Sequence, residues 1–82
     1  METILKENEF YKTSDFLTCS VLIYFDHILE AIDKADSSRC IFVIEREAHT
    51  NEILEKFYKG QLLVEPKKFQ AISKEIKGRI YN

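Results

Sequence analysis

The chain has 82 residues, 45% hydrophobic and 32% charged, with 12 Lys+Arg against 14 Asp+Glu for a formal charge of −2. That length leaves room for one core and excludes a second domain, while the apolar fraction excludes a disordered chain. No run is long enough to cross a bilayer, because Phe16 to Phe25 is interrupted by Thr18, Cys19 and Ser20.

The opening Met1 to Glu7 is acidic and lacks the basic and apolar regions of a signal peptide, so a cytoplasmic location is expected. Residues 1–9 read as a flexible N-terminal arm and residues 10–82 as a single compact domain. A domain this small lies near the lower range of independent folding, which makes a homo-oligomer or a protein partner an expectation.

Phe10 to Thr13 reads as a short extended piece. Ser14 is placed to cap a helix, with Asp15 in its first turn. The helix is predicted from Asp15 to Phe25. Its apolar residues spread round the axis: Phe16 and Ile23 on one side, Leu17, Val21 and Tyr24 on a second, Leu22 and Phe25 on a third. Such a helix is either central to the fold or shared with another subunit. On the second reading, Phe16, Leu17, Val21 and Tyr24 form a self-association face.

His27 to Ala35 fits two periods. Ile28, Leu29 and Ile32 with Ala31 and Ala35 suit a helical face, and the alternation along Ile28 to Asp33 suits a strand. The strand is favoured because it pairs, through a hairpin at Lys34 to Ser38, with the next element. That element is Ile41-Phe42-Val43-Ile44, bounded by Arg39 and Glu45 and rich in β-branched and aromatic types. A continuous apolar run of this length reads as a strand covered on both faces.

A second helix starts between Glu47 and Thr50 and carries Ile53, Leu54, Phe57 and Tyr58 inward. Glu52–Lys56 and Glu55–Lys59 are i,i+4 pairs on its outer side, and Gly60 is placed to stop it. Gln61 to Glu65 is extended ahead of Pro66, which opens the last helix. That helix directs Phe69, Ile72, Ile76 and Ile80 inward, while Gly78 weakens its last turn.

From Phe10 to Asn82 the chain resembles a family of short bacterial domains of unknown function. The resemblance rests on Phe10-Tyr11-Lys12-Thr13-Ser14-Asp15 leading into an apolar helix, and on Ile41-Phe42-Val43-Ile44-Glu45. It continues with Phe57-Tyr58-Lys59-Gly60, Val64-Glu65-Pro66-Lys67-Lys68-Phe69 and the close Lys74-Glu75-Ile76-Lys77-Gly78-Arg79-Ile80-Tyr81-Asn82. It implies an α/β domain with a hairpin and two C-terminal helices, and brings no activity or catalytic residues. Members of that family tend to carry alanines in the first helix and a glycine after it. Here Thr18, Cys19 and Ser20 lie within the helix, and Asp26-His27 replace the glycine turn.

The fold class expected is α/β of the α+β type: a small, mainly antiparallel sheet with a hairpin, packed against three helices. Catalytic residues are expected to be absent. Ser14, Ser20, Ser37, Ser38 and Ser73 lack a nucleophile elbow, and two glycines cannot build a phosphate-cradling loop. No metal or other cofactor is expected, since His27, His49, Cys19, Cys40, Glu45, Glu47 and Glu52 show no CxxC, HxH or HExxH spacing. Cys19 and Cys40 read as small buried hydrophobes.

Charge is unevenly placed. From Pro66 onward Lys67, Lys68, Lys74, Lys77 and Arg79 face only Glu75, making that segment +4 and the remainder −6. These five cations are the candidate anion or nucleic-acid contact, with Tyr81 or Tyr11 as a stacking surface. The leading expectation is a non-catalytic interaction or accessory module that self-associates. The alternative is a nucleic-acid-binding accessory protein using the basic last helix. Salt dependence separates the two, because phosphate binding weakens steeply with salt and apolar association does not.

Overall fold

The computed structural model describes residues 9–34 and 39–81. Residues 1–8 of the flexible arm expected at 1–9, and residues 35–38 of the hairpin connection expected at Lys34 to Ser38, lie outside the described residues. The elements are β1 (Phe10–Thr13), α1 (Phe16–Tyr24), β2 (Leu29–Asp33), β3 (Ile41–Glu45), α2 (Thr50–Tyr58) and α3 (Pro66–Ile80). The three strands form one antiparallel sheet in the order β1-β3-β2. The expected α+β class and hairpin pairing are therefore present.

The central helix is α1. Thr18, Cys19, Ser20, Val21 and Leu22 are all buried. Five successive buried positions turn through more than a full circle, so the middle of the helix is enclosed on every side. One side meets the sheet, and α2 and α3 pack against the others. The core joins Cys19 and Leu22 to Leu29, Phe42 and Ile44 of the sheet, Leu54 of α2 and Ile76 of α3.

Asp15, rather than Ser14, caps α1. Its Oδ2 accepts the Thr18 amide at 3.1 Å and also the Thr18 hydroxyl. A carboxylate satisfies both donors and suits the positive end of the helix dipole, so the cap falls one residue later than expected.

At the other end the helix stops at Tyr24, and Asp26 adopts φ 70. The Asp26 amide donates to the Ile23 carbonyl and the His27 amide to the Leu22 carbonyl, both at 3.0 Å. This is a Schellman closure with Asp26 in the left-handed position usually taken by glycine. A similar closure ends α2, where Gly60 has φ 70 and Gln61 donates to Lys56 at 2.9 Å. Asp26 is exposed. Asp26→Gly should therefore relieve backbone strain at no packing loss and stabilise the fold by about 0.5–1 kcal/mol. A urea midpoint unchanged or lowered by this substitution would contradict the assignment.

The ambiguity at His27 to Ala35 has a structural source. Leu29 pairs with Ile44 and Ile32 with Phe42, with a register break between Leu29 and Ala31. The extra residue, Glu30, brings Leu29 and Ile32 to the same face although they are three apart. A bulged strand thus mimics helical spacing.

The expectation that β3 is covered on both faces needs correcting. Phe42 and Ile44 are buried toward α1, whereas Ile41, Val43 and Glu45 on the opposite face are only half-buried. By register Phe10 and Lys12 of β1 and Ala31 and Asp33 of β2 share that outer face. None of these residues packs against the core. The run is apolar throughout because β3 is the central strand, flanked closely on both sides, and not because two layers enclose it.

The last helix begins as expected at Pro66, with Glu65 extended before it. Glu65 accepts the Lys68 amide at 2.8 Å and the Lys67 amide at 3.2 Å. Tyr24 ties this end of α3 to α1: its hydroxyl accepts the Glu65 amide at 2.8 Å and its ring lies 6.0 Å from Phe69. At the far end Lys34 donates to the Ile80 carbonyl at 2.7 Å and the Arg79 carbonyl at 3.2 Å. A cation on the last carbonyls suits the negative end of the helix.

Candidate functional site

The five cations of the last segment are all exposed but do not act as one stripe. Lys68 lies over the Tyr24 ring at 4.6 Å and Lys77 over the Phe16 ring at 5.6 Å. They flank the contact between α1 and α3. Lys67 and Lys74, two turns apart, project on the side away from the buried Ile76. Arg79 lies near Cys19 and at the end of the helix held by Lys34.

The set Phe16, Leu17, Val21 and Tyr24 does not form an open apolar face. Val21 is buried, and Phe16 and Tyr24 are half-buried against α3 and the sheet. Leu17 alone among them is substantially exposed, at 48%. The reason is the central position of α1, whose other sides are already occupied within the chain.

Groups with chemical potential are mostly committed to structure. His27 is buried, with Nε2 2.7 Å from Thr50 Oγ1 and Nδ1 3.2 Å from the Phe25 carbonyl. The carbonyl only accepts, so Nδ1 carries the proton and Nε2 accepts the Thr50 hydroxyl hydrogen. Thr50 Oγ1 in turn accepts the Glu47 amide at 2.8 Å. His49 and Glu52 meet at 3.4 Å on the exposed side of α2. Among the described residues no three metal-ligating side chains converge.

Burial pushes the Cys19 thiol up to about 12, slightly offset by the nearby Arg79 charge. Relative to an unfolded thiol near 9, the folded state retains its proton more strongly. That contribution to stability is complete below pH 9 and is lost as pH rises through about 12. Cys40 is half-buried and free. Native protein should therefore incorporate one equivalent of a thiol reagent rapidly, at Cys40, with Cys19 labelled only in denaturant. Mass spectrometry of the labelled peptides checks this; early labelling at Cys19 would show the core to be open. Tyr11 is also held up at about 12, by burial and then by its hydrogen bond to Tyr58, against the lowering effect of Arg46.

Two concavities formed by described residues bear on function. One, of about 370 Å³, lies beside the His27–Thr50 pair and carries both signs of charge, with Glu47, Glu52 and Lys56 on its wall. The other, of about 410 Å³, opens where the start of β3 meets the beginning of α1 and the end of α3. Phe16, Phe42 and Ile80 form its apolar floor, Arg39 and Lys77 its charged rim, and Cys40 part of its wall. Tyr81 stands at the mouth, 82% exposed. Sequence reasoning treated Arg39 only as a strand boundary. Its partnership with Lys77 depends on β3 being central, which brings the start of that strand under α1 and beside α3.

The architecture is thus a one-layer antiparallel sheet with helices built up from a central α1, carrying a cation-rimmed cleft at one end. The chain belongs to the family described as domain of unknown function DUF5659, whose family model matches residues 8–82. No curated protein matches the chain, and no solved structure does. No helix among the described residues is long and apolar enough to cross a membrane.

Proposed function

We propose that the chain is a small non-catalytic interaction module that associates with a second copy of itself across the outer face of its sheet. The observation that carries this reading is the row of Phe10, Ile41 and Val43, half-buried and not packed against the core. An isologous two-fold contact sets this apolar row of one copy against that of the other. The non-catalytic part rests on His27 and Cys19 being engaged in the fold rather than presented to solvent. A cytoplasmic setting fits two free thiols.

Three strands about 4.8 Å apart and five residues of about 3.4 Å cover on the order of 250 Å². That is below the roughly 800 Å² per partner of a standard interface, so the association is weak and reversible. Sedimentation should show a monomer near about 10 µM moving toward a dimer near about 1 mM. Added salt should change this little. Val43→Glu, which places a carboxylate opposite Lys12 and away from the core, should abolish the dimer and leave the fold intact. A monomer throughout that range, or a dimer unaffected by Val43→Glu, overturns the proposal.

A further inference from the structure

We infer that the cleft between the start of β3 and the end of α3 binds a nucleotide unit, a phosphate with its attached planar base. The argument is separate from the sheet face. The volume, about 410 Å³, falls in the range of small-molecule sites and suits one nucleotide rather than a duplex. Its floor is aromatic and aliphatic, with Phe16 and Phe42 in an edge-to-face pair at 6.4 Å. Among the described residues no carboxylate lines it, and neither Arg39 nor Lys77 forms an ion pair.

This combination is selective in chemistry. A fully apolar ligand leaves two cations unused, and a bare inorganic anion leaves the apolar floor wet. A phosphate between Arg39 and Lys77, with its base over the floor or against Tyr81, uses both. Arg39 supplies a planar fork for phosphate oxygens, and Lys77 a point charge already oriented over Phe16 at 5.6 Å. An exposed tyrosine at the mouth stacks any base, so sequence preference is low. The binding charges are thus Arg39 and Lys77, not Lys67 and Lys74.

The unit has two sources, a free nucleotide or a position along a single strand. Both are tested on the unaltered protein by amide chemical-shift mapping, with thymidine monophosphate and with a ten-nucleotide deoxythymidine strand. Shifts concentrated at residues 39–42 and 77–81 support the site. Equal affinity for the two probes assigns a free nucleotide. Tenfold tighter binding of the strand, weakening with salt, assigns single-stranded nucleic acid. Arg39→Ala and Tyr81→Ala alter exposed side chains, and each should weaken binding about tenfold. Lys67→Glu with Lys74→Glu should weaken the free nucleotide less than twofold. No shifts with either probe at millimolar concentration overturns the inference, as does equal loss from the Lys67 and Lys74 changes.

Discussion

Leu22→Ala should cost about 4 kcal/mol and bring the fold to the edge of unfolding. Leu22 is fully buried at the centre of α1, within the cluster that joins the sheet to α2 and α3. The loss has two parts, transfer of the missing atoms and the cavity left behind. Collapse around the cavity is hindered because the surrounding residues come from several different elements. At about 0.05–0.15 kcal/mol per residue, a chain of this size has only about 4–12 kcal/mol in total. With a urea slope near 1 kcal/mol/M, the midpoint should fall by about 3–4 M. Leu17→Ala, on the same helix but half exposed, should cost under about 1 kcal/mol. Equal losses at the two positions would show that α1 is not the centre of the core.

Thr50→Val should cost about 3 kcal/mol although it preserves side-chain volume. Thr50 is 1% exposed, and its hydroxyl ties the start of α2 to the turn after α1 and to the loop before α2. It accepts from the Glu47 amide at 2.8 Å and donates to His27 Nε2 at 2.7 Å. Valine leaves both groups without a partner, and each such group costs about 1–3 kcal/mol when withdrawn from water. Thr50→Ser keeps the hydroxyl and should lose less than about 1 kcal/mol, mostly from the missing methyl. Urea unfolding ranks the pair. Imidazole nitrogen shifts of the unaltered protein should report the proton on Nδ1. A valine variant as stable as the serine one would rule out the hydrogen-bonded link as a stabilising feature.

Much of the fold was legible in local chemistry. Pro66 after an extended Glu65, Gly60 after Tyr58, and the spacing of Phe69, Ile72, Ile76 and Ile80 each act within a few residues. They mark helix ends and inward faces with little help from the rest of the chain. The mixed apolar sides of α1 identified it as either central or shared. The boundary shifts at Ser14, Asp15 and Phe25 are small and come from side-chain acceptors and a left-handed Asp26.

The candidate sites were less legible because each joins distant residues. Arg39 and Lys77 are separated by most of α2 and α3, and a charge count along α3 could not bring them to one cleft. The outer sheet face was hidden by the apolar run of β3, which suggested cover on both sides. The amino-acid sequence by itself determined the element types, their order, the inward helix faces apart from Tyr58, which is 67% exposed, and the basic character of the last segment, all effects of neighbouring residues. The tertiary structure alone decided that α1 is enclosed within one chain, that one sheet face is left uncovered by the described residues, and that two cations flank an apolar cleft. Those outcomes depend on strand order and the bulge at Glu30, which set the positions of residues far apart along the chain.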